Sequence, residues 1–262
     1  MDLITPAAQA ETIKALVDSS YASRFIDLGA TLGNARLAID MIEEAPGQLP
    51  DELVVAAWTQ YGNAHRLLGR NQEAQSALDR AGALPISHLQ TKLHLLEVRS
   101  CLERNTRRYE SAERSLAEAL AAHESLADPV GLARTYNLLG LVYSESGARD
   151  QALRAFQTAF GFLRQEAPLD LLTTTGHNLF HTLIAVGRLE AAEEALASLV
   201  PFYNKLTSPR LAAKASWMRA RLFRRLGRRL AARRDYQRAV DLLRTAQDSP
   251  ELARLVQEMA DF

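Results

Sequence analysis

Apolar residues along this chain recur at spacings of three and four, the period of a helix with one buried face. The pattern is clearest from Ala133 to Leu163. There Tyr136, Leu139, Gly140 and Tyr143 share one face, and Ala152, Leu153, Phe156 and Ala159 share a second. Gly147 stands between them, and glycine favours the left-handed conformation that ends a helix, so the stretch predicts two helices joined by a tight turn. Gly140 and Ala152 are small where the two faces meet, which predicts close approach at that point. No convincing period-two alternation interrupts the helical pattern, so the chain reads as all-α.

The same phrase returns four more times. Trp58, Tyr61, Gly62 and His65 lead through Gly69 to Ala74, Leu78 and Ala81. A weaker copy has Arg99 and Ser100 where Leu-Gly falls and Arg107 where the turn glycine falls, yet keeps Tyr109, Ala112, Leu116 and Ala119. Beyond the central copy, Leu179, Phe180 and Leu183 lead through Gly187 to Ala192, Leu196 and Leu199. Phe180 replaces the small residue, which predicts locally wider packing. The last copy runs from Leu222, Phe223 and Leu226 through Gly227 to Ala232, Tyr236 and Ala239. The second-helix alanines at 74, 112, 152, 192 and 232 are separated by 38, 40, 40 and 40 residues.

The flanks are less regular. Pro6 suits a first helical turn, and Ala10, Ile13, Leu16 and Val17 form an apolar stripe. A short segment from Phe25 to Leu32 is expected to end at Gly33, with Asn34 capping a helix over Ala35 to Glu44. Ala38 and Ile42 sit where a decayed repeat would place its second helix. Pro46, Gly47 and Pro50 mark a linker, and Asp51 is the expected cap of the next helix. Leu252, Leu255, Val256, Met259 and Phe262 predict a final amphipathic helix over the last repeat. Its end at Phe262 also fits a segment cut from a longer protein.

An aromatic, then Leu-Gly, then Tyr, with Ala-x3-Phe in the second helix, resembles the tetratricopeptide repeat, Tyr136 standing at the family's Trp position. The period exceeds the family's usual length of about 34 residues. It is similar to the longer-helix variety in the sensor arms of some bacterial transcription regulators. The resemblance covers Asp51 to Ala246. It implies one right-handed α-solenoid domain over 1–262, with atypical helices over 1–50, five repeats over 51–246 and a capping helix over 247–262. It further implies non-catalytic binding of a protein or peptide in a concave groove lined by first helices.

Composition narrows the function further. Of the 262 residues, 47% are apolar and 24% charged, ordinary for a soluble protein. The start shows no secretory signal and no apolar run spans a bilayer; the lone Cys101 suits a reducing compartment, so a cytoplasmic protein is expected. The net charge is zero but uneven: 3 basic against 9 acidic residues over 1–60, and 13 against 2 over 201–246. That asymmetry points to an acidic partner or to head-to-tail self-association.

The register implied by the resemblance aims Thr59 and Asn63, Glu97 and Cys101, Arg134, Asn137 and Leu141, His177, Asn178 and His181, then Lys214, Trp217 and Arg221 into the groove. An asparagine amide both donates and accepts, which suits a peptide backbone. Trp217 beside Lys214 and Arg221 reads as an anchor for an acidic or aromatic residue. The bland alternative is a solvated polar helix face. His177 and His181 share a face at metal-ligand spacing, but no carboxylate motif accompanies them, and groove lining is the better reading. The arginines at 219, 221, 224, 225, 228, 229, 233 and 234 raise a nucleic-acid reading, opposed by their spread over two helices and a turn. No nucleophile elbow, P-loop or HExxH is present, so no catalysis and no cofactor are expected. A ligand-sensing arm of a larger bacterial system, and a pure assembly scaffold, are the remaining alternatives.

Overall fold

A computed structural model describes residues 5–24, 26–44, 47–163, 167–205 and 209–260. These form thirteen helices and, among the described residues, no strand. The fold is an α-solenoid of tandem helical hairpins. The chain divides into two compact units, Met1–Asp128 and Pro129–Phe262.

The first unit holds α1 (Pro6–Ser23), α2 (Leu28–Glu44), α3 (Asp51–Leu67), α4 (Asn71–Gly82), α5 (Leu89–Asn105) and α6 (Tyr109–Ser125). Pro6 opens α1 as its pattern predicts, with Thr5 accepting from the Ala8 N–H at 3.3 Å. The expected break at Gly33 does not occur, because α2 runs through it without interruption. Asp27 caps α2 instead, its Oδ1 accepting from Ala30 N–H at 3.0 Å, while Asn34 turns sideways to donate to Ser19 on α1. Asp51 is likewise the first helical residue and not the cap; Pro50 holds that position. Glu52, one residue on, reaches across to α5, where its Oε1 accepts from the N–H groups of Ser87 and His88 at 2.5 and 2.7 Å. His88 is the N-cap of α5, so one of these is a donor that a helix start leaves unsatisfied. The core gathers Ile13, Ala38, Ile42, Val55, Trp58, Leu78 and Leu102. Phe25, where a separate segment was expected to begin, and Pro46 of the linker lie outside the described residues.

The second unit holds α7 (Pro129–Ser146), α8 (Arg149–Phe162), α9 (Leu169–Ala185), α10 (Leu189–Lys205), α11 (Pro209–Arg225), α12 (Arg229–Thr245) and α13 (Ser249–Ala260). The first helices begin at 129, 169, 209 and 249, so α13 keeps the 40-residue period and enters the row of first helices. It is also a cover for the last repeat: Leu255 is fully buried with Ala232, Tyr236, Ala239 and Leu243. Phe262, placed on this helix by its pattern, lies outside the described residues.

One turn geometry repeats at 69, 107, 147, 187 and 227. Four glycines and Arg107 there take φ between 60 and 87°. The residue after each donates its N–H to the carbonyl five positions back, at 2.7–2.9 Å, the closure that satisfies a helix C-terminus. Close approach within the hairpins also follows the small residues. A Cβ added at Gly140 would stand under 3.0 Å from three carbons of the Phe156 ring, itself 1% exposed. In the α9/α10 hairpin the close approach lies one turn earlier than the pattern places it, at Gly176 against Leu199, and Phe180 is fully buried.

Candidate partner-binding site

The first helices of the second unit place their polar residues side by side, one repeat apart. On α9, His177 and His181 stack edge to face with centroids 4.3 Å apart. His177 Nδ1 lies 3.2 Å from Met218 Sδ on α11, and Arg221 of α11 lies 3.2 Å from His181 Nδ1. Asn178 donates to Asn137 Oδ1 on α7 at 2.9 Å. Each pair is separated by 40 or 41 residues, because successive first helices present equivalent positions to each other.

Trp217 and Arg221 already hold a carboxylate. Glu258 of α13 accepts from Arg221 Nε at 2.8 and 2.9 Å, from Trp217 Nε1 at 3.0 Å and from Tyr236 OH at 2.7 Å. Arg221 also lies over the indole ring, 4.9 Å from its centroid. Burial alone would raise the Glu258 carboxyl, but hydrogen bonds from Arg221, Tyr236 and Trp217 outweigh it and hold the group ionised below its ordinary value. Burial, reinforced by Glu258, pushes Tyr236 up to about 12. The sequence reading placed an anchor for an acidic residue here; the structure fills it from the chain's own α13. Glu258 was missed because its helix reads as a simple cap. The 40-residue period was the signal that could have found it.

Beside this cluster lies a pocket of about 430 Å³, with His177, His181, Lys214, Trp217, Met218 and Arg221 from α9 and α11 and Glu251, Arg254 and Glu258 from α13. Burial, reinforced by repulsion from His181, Lys214 and Arg221 when the ring is protonated, pushes His177 down to about 3. Burial and Arg221 push His181 down to about 4 against the opposing Glu258. Both rings are therefore neutral near pH 7 and serve as polar walls. Among the described residues, no third His, Cys, Asp or Glu joins them in a metal-sized group. Glu251 pairs with Arg254 at 3.4 Å. Lys214 is half-buried with no hydrogen bond or ion pair among the described residues.

Five of the ten candidate residues thus surround one pocket, and Asn137 and Asn178 form an adjoining pair. Asn137 is 6% exposed, and Arg134 is exposed. Leu141 packs against the second unit's core. Asn63 and Glu97 belong to the first unit. Asn63 is 5% exposed, its Oδ1 accepting from Arg66 at 2.7 and 3.1 Å; Thr59 is fully buried; Glu97 and Cys101 are half-buried on α5. The arginine cluster divides in two. Arg219 is bound to Asp235, Arg221 to Glu258, Arg228 to Glu193 at 3.7 Å and Arg224 to Tyr236. Arg225, Arg229, Arg233, Arg234 and Arg238 are exposed, and no partner contacts them among the described residues.

Residues 100–165 match the tetratricopeptide repeat family. No curated protein matches the sequence. Among solved structures, BtubC of P. vanneervenii is 13% identical with a TM-score of 0.66, over 90% of this chain and 92% of its own. The pilF protein of Pseudomonas aeruginosa is 16% identical with a TM-score of 0.61, over 95% of this chain and 99% of its own. A Rap protein complexed with competence and sporulation factor is 12% identical with a TM-score of 0.64, over 94% of this chain and 69% of its own. No helix among the described residues is long and apolar enough to cross a membrane.

Proposed function

We propose, from the premise that this chain has the tetratricopeptide-repeat fold with the family's own sequence pattern over 100–165, that it is a non-catalytic scaffold for a protein or peptide segment. The observation that carries this reading is the convergence of His177, His181, Lys214, Trp217 and Arg221 on one pocket. Its walls combine an indole, a thioether and neutral imidazoles with a few charges, the mixture that orients a ligand while burying its apolar part. Repeat scaffolds bind through the faces their first helices share, each repeat adding a modest contact. The Rap protein complexed with a factor is a case of the same fold holding a ligand, which makes a ligand-sensing arm a second form of this proposal.

The test is a pull-down from native lysate with the full chain, comparing wild type with a Trp217→Ala, Asn178→Ala variant and with a control, Leu230→Ala, at an exposed position on the first turn of α12 that does not line the pocket. A protein lost from the variant and kept by the control is the expected outcome. If the variant retains every protein that wild type captures, the pocket is not the binding surface. The exposed arginines from Arg225 to Arg238 support a separate reading, contact with an acidic protein surface or nucleic acid. Nucleic acid that co-purifies and is released by salt would favour it over the pocket.

A further inference from the structure

The charges around the pocket can be followed one by one. Arg221 is neutralised by Glu258, and Arg254 by Glu251. His177 and His181 are uncharged near neutral pH, for the reasons given above. The segment leading into α11, residues 202–208, contains no Asp or Glu. Among the described residues, Lys214 is therefore the one lining charge with no counter-charge, and it sits half-buried at the wall where His177 feels its field. A partly desolvated ammonium is stabilised by an anion, and none is supplied by the described residues. Next to it, the half-buried Trp217 indole supplies apolar surface, with Arg221 already stacked on it and Met218 buried behind the wall at 1% exposure.

We infer that this pocket recognises a single carboxylate flanked by an apolar side chain, with Lys214 as the residue that binds the anion and the Trp217 indole as the shelf for the apolar group. The inference rests on the scaffold reading and names the chemistry of its partner. It also removes one class of partner: a run of acidic residues finds one available cation here, not three, because Glu258 already occupies Arg221 and Glu251 pairs with Arg254. The carboxylate has two sources in a peptide, a free C-terminus after an apolar residue or an internal Asp or Glu beside one.

The experiment uses the full chain and fluorescein-labelled peptides read by anisotropy. One ends in Ala-Ala-Leu with a free carboxylate, one is the same peptide as its C-terminal amide, and one is an end-capped Ala-Leu-Asp-Leu-Ala. The expected result is that at least one of the two anionic peptides binds wild type about tenfold more tightly than the amide does. That advantage disappears in Lys214→Met, and the better anionic peptide identifies the source. Equal binding of all three peptides, binding of none, or an undiminished advantage in Lys214→Met would each overturn the inference. Added salt provides a check on the wild-type protein itself, weakening the anionic peptide and leaving the amide unchanged. A lysate protein lost from the Trp217→Ala, Asn178→Ala variant but held equally by Lys214→Met would keep the scaffold function and discard this reading of its ligand.

Discussion

Replacing Gly140 by alanine sets two known effects against each other. Alanine is a better helix former than glycine by about 1 kcal/mol, and Gly140 lies inside α7, so local propensity favours the substitution. The new methyl, however, would stand under 3.0 Å from three carbons of the Phe156 ring. That ring is 1% exposed and packed with Ala152, Leu153 and Leu179, so it has little room to withdraw. Overpacking a core of this kind costs about 1–3 kcal/mol. The balance is a net loss of about 1 kcal/mol. Phe156→Leu alone should cost about 1–1.5 kcal/mol by leaving space behind. In the double variant the two changes relieve each other, since the alanine methyl enters the volume the ring vacates. The double should be no less stable than Phe156→Leu, a coupling of about 1 kcal/mol, well beyond the roughly 0.3–0.5 kcal/mol scatter of independent sites. Urea denaturation of the four proteins, followed by circular dichroism, measures all the terms. A Gly140→Ala protein more stable than wild type, or additive losses in the double, would refute the packing argument.

Arg107→Gly should stabilise the chain by about 0.5–1 kcal/mol, because Arg107 adopts φ 60° where the four equivalent turns use glycine, and the αL penalty exceeds the extra entropy glycine loses on folding. The reciprocal Gly147→Arg should destabilise, and an unchanged urea midpoint in both would discard the idea. Acidification acts through His177 and His181, whose folded values near 3 and 4 lie below that of an unfolded histidine. The unfolded chain then binds more protons between about pH 6.5 and pH 3, so stability is full above that window and falls as pH falls through it. Between pH 7 and pH 5 the loss should be roughly 2 kcal/mol for each histidine. A His177→Gln, His181→Gln variant with the same pH slope as wild type would remove the histidines as its cause.

Local chemistry along the chain determined the helices, their pairing and their period. Small residues at 62 and 140, the turn glycines and the alanines from 74 to 232 act on neighbours within one hairpin, and such short-range effects repeat wherever the residues do. The same reasoning failed at Gly33 and Asp51, where local preference was overruled: Asn34 found a partner on α1, and Asp27 was the better placed cap. Which candidate residues look into the pocket was legible only in outline. Their face follows from the repeat register, but their partners come from other helices. Asn137 is paired with Asn178, His181 with Arg221, and Trp217 and Arg221 with Glu258, each across 37 to 41 residues. The 40-residue period says which first-helix positions stand side by side, but not which acid among them will meet which base. Tertiary packing decided that, by laying α13 beside α11, and in doing so left Lys214 as the lining charge still to be matched among the described residues.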